Sequence, residues 1–349
     1  VVKNELRMRI ARAMSGPIVE TLAIIALSIL AAIATRSILS GSLSFDDFIL
    51  SLIALGVSAA SLRPLAGIIN EISAAAAPAA RIIEILDQPI EAQGESSPAL
   101  PRHAGSIQFE HVGYAYENAE VPALEDVSFS IAFGERVAVV GPNGSGKTTL
   151  LGLLPRLLVP SSGRILVDGI DLAQVRLSSI RQQIGVVTQE SFIMNGTIRQ
   201  NISFGIDDVD ESSIREAARI AHATDFIEAL PDGWDTVVAE AGASLSGGQR
   251  QRLSIARALV RDPSILILDE ATSQVDSESE VAIRDALHDA GVDRTMLIIA
   301  HRMASVVHAD RIIVLDAGRV VDIGSHAELL GRCEVYDRLT RTQLVGSDT

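Results

Sequence analysis

An apolar helical segment followed by an α/β domain is the architecture the sequence predicts, and three observations predict it. Residues 17–39 and 48–70 are almost wholly apolar. The stretch 141–148 reads Gly-Pro-Asn-Gly-Ser-Gly-Lys-Thr directly behind the apolar run Val137–Val140, giving the strand, glycine-rich turn and helix order of a phosphate loop. A second glycine-containing element, Leu245-Ser246-Gly247-Gly248-Gln249, stands upstream of Ile265-Leu266-Ile267-Leu268-Asp269-Glu270.

A chain of 349 residues suggests two domains. Their predicted limits are 1–88 for the apolar part, 89–104 for a linker and 105–345 for the α/β part. The linker carries Pro89, Gly94, Ser96, Ser97, Pro98 and Pro101, a composition that joins folded units. A net charge of -15 argues against a nucleic-acid partner held by phosphate neutralisation. The single cysteine, Cys333, rules out an internal disulfide and suits a reducing compartment. The sequence opens at Val1 without methionine or a secretory signal pattern, so a fragment of a longer reading frame is expected.

In the front part, a helix over 17–39 would reach about 35 Å, enough for a hydrocarbon core of about 30 Å. The second candidate, 48–70, follows a short acidic turn carrying Asp46 and Asp47. Lys3, Arg7, Arg9 and Arg12 precede the first stretch and Arg81 follows the second, which places both flanks in the cytoplasm by the positive-inside rule. Neither segment shows a polar stripe of period 3.6, as a soluble surface helix would. The alternative is a pair of buried helices in a soluble bundle, because the strictly uncharged stretches Thr21–Thr35 and Phe48–Leu62 are short for membrane spans. Beyond Asn70 an alanine-rich run should continue the helix, with Pro78 a kink candidate.

In the α/β part, β-rich runs at Ile107–Val112 and Val127–Ile131 lead to the strand Arg136–Val140 and then a helical run Lys147–Leu158. The backbone from Asn143 through Gly144, Ser145, Gly146, Lys147 and Thr148 to Thr149, together with Gly141, is suited to cradle phosphate oxygens. Lys147 would contact the β and γ phosphates of ATP, and Thr148 would ligate Mg²⁺. Asp269 ends an apolar strand and would hold the same ion, directly or through water. Glu270 beside it could accept a proton from, or orient, the water attacking the γ phosphate. Ser246 can donate to a phosphate oxygen, and Gly247 and Gly248 permit close approach at the start of a helix expected over Arg250–Arg261.

Together these motifs resemble the ATP-binding-cassette (ABC) family, over essentially the whole sequence. The resemblance implies an ABC nucleotide-binding domain behind transmembrane helices, and a dimer in which Leu245–Gln249 of one chain caps the phosphate loop of the other. It also implies further roles. Tyr116 would stack on adenine, Gln189 would sense Mg²⁺ and couple to the membrane part, His301 would contact the γ phosphate, and Asp276 would lie on a loop crossing the dimer interface. Gln249 joins the nucleotide-binding set as the last residue of the capping motif.

Leu62-Arg63-Pro64-Leu65, Gly196–Ile202 and the segment around Glu240 resemble homodimeric exporters of the lipid A flippase and multidrug type (type IV, ABC-B half-transporters). Such exporters carry six spans per chain, so about four would be missing here. Ala239 stands where relatives usually have glycine, and Gln274 where many have alanine; neither removes a reacting group. The resemblance therefore implies ATP-driven export or flipping of a lipid or other hydrophobic substrate by two identical chains in the inner (plasma) membrane, with the nucleotide domain cytoplasmic. Membrane lipids and the exported molecule would be partners and nucleic acid would not. A soluble ABC-type ATPase clamp and a fragment without transport activity of its own are the alternatives.

Overall fold

The computed structural model describes residues 21, 24–42, 44–88, 91, 97–117, 119–206, 208–238, 244–269, 277–299 and 306–345, with the backbone alone at 59, 61–73, 277, 278 and 342–345. The chain divides into two compact units, Val1–Glu91 and Ala92–Thr349.

The first unit is helical over 24–39 (α1) and over Phe45–Leu86 (α2). Ser44 starts α2 by accepting from the Asp47 amide at 3.1 Å, and Asp46 and Asp47 complement the positive helix end. α2 is assigned as one helix through Pro64 and Pro78. The hydroxyls of Ser28, Thr35, Ser51 and Ser58 each donate to the carbonyl four residues back at 2.8 Å, so they ask nothing of the surroundings. Between them stand exposed apolar side chains, among them Ile24, Ile29, Ile33, Leu50 and Ile53.

Among the described residues no helix is long and apolar enough to cross a membrane. The two predicted spans are thus not recovered there. Residues 17–20, 22 and 23 of the first, and the side chains at 59 and 61–70 of the second, lie outside the described residues.

The second unit is built on two large sheets, beside a short antiparallel pair of β7 (Gly196–Thr197) and β8 (Val237–Val238). Strands β1 (Ser106–Tyr114), β2 (Leu124–Ala132), β4 (Ser162–Val167) and β5 (Ile170–Asp171) form an antiparallel sheet in the order β2-β1-β4-β5. Asp168 and Gly169, both with positive φ, make the two-residue turn that matches the twist of β4 and β5. The other sheet runs β12-β11-β3-β10-β9-β6, from β3 (Arg136–Val140), β6 (Ile184–Val187), β9 (Ile265–Asp269), β10 (Thr295–Ile299), β11 (Arg311–Asp316) and β12 (Arg319–Gly324). All its pairings are parallel except that of β12.

Parallel strands must be covered on both faces, and their burial follows that rule: Val137–Val140 and Ile265–Leu268 are buried throughout. One cluster of buried side chains joins the antiparallel sheet, the parallel sheet and helix α3 (Lys147–Leu153). A second joins the parallel sheet to α5 (Ile198–Ile202), α6 (Glu211–Ile220), α8 (Gly247–Leu259) and α9 (Ser277–Ala290), with α4 (Leu177–Gln182) and α7 (Thr224–Glu228) filling the connections.

Two predicted helices have different bounds. α3 stops at Leu153 rather than Leu158: Arg156 turns to φ 52°, and its guanidinium donates to the Leu172 and Val175 carbonyls. α8 starts at Gly247 rather than Arg250 because Ser246 caps it.

The linker composition extends to 104, yet the backbone is fastened from Pro98 onward. The Pro98 carbonyl accepts from the Arg176 amide, and the Leu100 amide donates to Ser179 Oγ. Gln183 accepts from the His103 amide and donates to the carbonyls of Leu100 and Pro101. His103 is buried, with Nδ1 2.9 Å from Asp168 Oδ1 and Nε2 2.9 Å from Thr295 Oγ1. Asp168 also accepts from the amides of Ala104, Gly105 and Ser106.

Partial burial pushes the Asp168 carboxyl up, but the Ala104 and Ser106 amides and the His103 ring outweigh this and hold it below the ordinary aspartate value. A carboxyl depressed in the folded state contributes stability that is complete above its unfolded value near pH 4, and that is lost as pH falls through the folded value. Asp168→Asn is therefore expected to lower stability at pH 7 by about 1–3 kcal/mol and to flatten the decline below pH 4. Denaturant melts of both proteins from pH 3 to 7 check this, and parallel curves would count against it.

Candidate functional site

β3 enters the glycine-rich loop between β11 and β10. A Cβ on Gly141 would stand 2.1 Å from the Leu315 carbonyl oxygen and 2.6 Å from Ser145 Oγ. Gly146, at φ 101°, would place one 2.5 Å from the Ala123 carbonyl oxygen. The loop thus lies directly on β11 and on the segment entering β2, while Pro142, Asn143, Gly144 and Thr148 face outward. Lys147 is buried, and its Nζ donates to the Gly141 and Pro142 carbonyls at 2.8 and 2.9 Å. Burial lowers its pKa, opposed by the attraction of Asp269.

Among the described residues, Ser145 Oγ is buried without a hydrogen-bond partner. An unpartnered hydroxyl, a buried ammonium and a loop without room for a Cβ at Gly141 or Gly146 fit a group rich in acceptor oxygens, as a phosphate chain is.

Four adjacent parallel strands carry the remaining candidates to the same edge. Val139, Ile299 and Asp269 pair across β3, β10 and β9, and Leu268 of β9 pairs with Val187 of β6. Gly141, Asp269 and Gln189 therefore emerge at the carboxyl ends of neighbouring strands, where open α/β sheets bind ligands. Gln189 is exposed there. Glu270, one residue past β9, His301, two past β10, and Asp276 lie outside the described residues.

Among the described residues no group of three or more His, Cys, Asp or Glu could hold a metal ion. Mg²⁺ asks for less, since it keeps several waters and takes one or two carboxylates plus substrate phosphates. Thr148 and Asp269 fit that donor set.

Tyr116 is half-exposed, with its hydroxyl 3.0 Å from Thr149 Oγ1 in the first turn of α3 and its ring edge-on to Tyr114. An aromatic face is thereby fixed beside the phosphate loop.

Ser246 caps α8 in a reciprocal box. Its Oγ accepts from the Gln249 amide at 3.2 Å, and the Gln249 side chain accepts from the Ser246 amide at 2.9 Å. Gly248 is buried against α9, where a Cβ would stand 2.3 Å from that of Ser279. Among the described residues no hydrogen bond joins 245–249 to 141–149.

Comparison with known proteins places both glycine elements in one family match. Residues 124–273 match the ABC transporter family, and that segment holds both glycine elements and Asp269. An ATP-dependent lipid A-core flippase of Alkalilimnicola ehrlichii is 43% identical over 98% of the chain, and one of Thiobacillus denitrificans is 40% identical over 97%. Residues 124–273 are an ABC transporter domain.

The chain spans 58% of the length of each of these two flippases. A solved structure of a bacterial Atm1-family ABC exporter with ATP bound aligns with 76% of the chain and 46% of its own, at 41% identity and a TM-score of 0.70. The ABC nucleotide-binding fold follows.

Within this ABC domain the motifs gave no sign of a contact set on α8. Gln251 accepts a hydrogen bond from Ser191, and Arg257 grips the segment after Gln189, as developed below. Only their spacing of six on one helix could have pointed there, and it has no motif value by itself.

Proposed function

We propose that the chain is the C-terminal part of an ABC exporter that works as a pair of identical chains, hydrolysing ATP at two composite sites to move a lipid or other hydrophobic molecule across the inner membrane. The observation that carries the site is the row of four adjacent strands, β3, β10, β9 and β6, whose carboxyl ends lead to the phosphate loop, His301, Asp269–Glu270 and Gln189.

Lys147 leaves the Gly141 and Pro142 carbonyls for the β and γ phosphates, and Ser145 and the amides of 143–149 close around the same oxygens. Tyr116 stacks on the adenine. Thr148, Asp269 and Gln189 would hold Mg²⁺, which when bound neutralises charge developing on the phosphate oxygens. Glu270 orients the attacking water and draws its proton, while His301 hydrogen-bonds the γ phosphate. Ser246, Gly247, Gly248 and Gln249 of the second chain close the other side, with Asp276 on the crossing loop.

The ABC transporter match that holds both glycine elements supports two chains per site. Back-bonded hydroxyls among exposed apolar side chains on α1 and α2 support a lipid environment for the first unit, with the nucleotide domain cytoplasmic. Flippase relatives match both units, which favours export over a soluble clamp.

A site shared by two chains makes hydrolysis per chain rise with chain concentration until dimers saturate. Phosphate release measured across a dilution series tests this, and a rate per chain independent of dilution would argue for a site complete in one chain. Vesicles holding the full-length protein and a headgroup-labelled lipid test transport: Mg²⁺ and ATP should expose the label to a membrane-impermeant quencher.

A further inference from the structure

Arg257, in the last turn of α8, is a cation drawn partly out of water without an anionic partner. Its Nε donates to the Asn201 carbonyl at 2.7 Å, Nη1 to the Phe192 carbonyl at 2.6 Å and Nη2 to Asn201 Oδ1 at 3.1 Å. The Phe204 ring lies 5.8 Å from the guanidinium carbon. Among the described residues no carboxylate pairs with it. Only a planar fork fits three oxygens from two chain segments at once, so a lysine could not reproduce the set.

The acceptors identify what is held. Asn201 is fully buried, and its amide group accepts from the Met194 amide and donates to the Met194 and Thr197 carbonyls. One turn and a half earlier on α8, Gln251 accepts from Ser191. Residues 191, 192 and 194, just beyond Gln189, are thus bound to α8 through Gln251, Arg257 and Asn201. The opposite end of the same helix is capped by Ser246. A helix is stiff over this length, so the serine that caps one nucleotide and the glutamine that lines another share one rigid support.

We propose that Arg257 is a positioning residue that joins the signature helix to the Gln189 loop, so that seating Ser246 on the partner chain's nucleotide sets Gln189 at this chain's own. The two ATP sites of a dimer are thereby coupled through α8. This rests on the two-chain site proposed above.

The test uses the full-length protein with Arg257→Met, Arg257→Lys and Ser191→Ala. Wild type is expected to show a sigmoidal dependence of hydrolysis on ATP. Arg257→Met is expected to lower kcat by about ten- to a hundredfold, to bring the Hill slope to about one and to leave nucleotide affinity at the phosphate loop unchanged. Arg257→Lys and Ser191→Ala should lie between the two. If Arg257→Met does not fold, these milder variants carry the same readouts.

Hyperbolic kinetics in wild type, or a wild-type slope and kcat in the folded variants, would overturn the coupling. So would a parallel loss of nucleotide affinity, which marks general damage. A wild-type rate independent of dilution would instead overturn the two-chain site itself.

Discussion

Glu270→Gln is expected to slow ATP hydrolysis by about 10²- to 10⁴-fold while nucleotide affinity stays at the wild-type level. Glu270 follows an interior strand that delivers Asp269 level with Ile299, so the next residue begins at the ligand edge of the sheet. Glutamine keeps the size of the side chain and loses the ability to take a proton. The fall corresponds to about 3–5 kcal/mol in the barrier. In the proposed site affinity rests on other strands and loops, because Lys147 and the 143–149 amides would hold the phosphates and Tyr116 the base. The variant should therefore accumulate as an ATP-loaded dimer, visible by size-exclusion chromatography with Mg²⁺ and ATP. Phosphate release within about tenfold of wild type would remove Glu270 from the reaction.

Gly146→Ala is expected to be a strongly damaging conservative change in the phosphate loop. At φ 101° an L residue carries a backbone penalty of about 1–2 kcal/mol, and the added methyl would meet the Ala123 carbonyl oxygen at 2.5 Å and Leu124 Cδ2 at 2.7 Å. Leu124 is fully buried in the core cluster behind the loop and cannot swing away. Overpacking adds about 1–3 kcal/mol, so a total loss of about 2–5 kcal/mol is expected. The loop must also shift at the point where α3 begins, so ATP binding should fall with stability. Chemical denaturation and equilibrium nucleotide binding measure the two losses. Gly144→Ala offers the contrast, because its Cβ would meet nothing within 4 Å and only the φ of 78° opposes it.

Much of the second unit was legible because its signals are local. Arg136–Val140 is a strand with the bounds read from its unbroken apolar run, and Ile265–Leu268 gained only Asp269. The signature motif was read as a helix start, and Ser246 caps α8 with Gln249 completing the box. What local pattern could not give is contact between distant segments. Nothing near His103 in sequence announces Asp168 and Thr295, and nothing near Arg257 announces Phe192 and Asn201. The helix expected to Leu158 stops short for the same reason, since Arg156 donates to the carbonyls of the distant residues Leu172 and Val175. For the first unit, apolar runs with few charges set an environment more than a fold, and α1 and α2 show few buried side chains from which a packing pattern could be read.

The fastening of residues 98–106 decides where the nucleotide-binding domain can be cut free. A recombinant piece begun at Ser106 would strip two amide donors and the imidazole from Asp168, both carbonyl acceptors from the Gln183 amide and the amide donor from Ser179. Begun at Pro98, it keeps every one of them. The natural seam for excision therefore lies upstream of that proline, and a shorter version would be a poorer folder for reasons unrelated to its nucleotide chemistry.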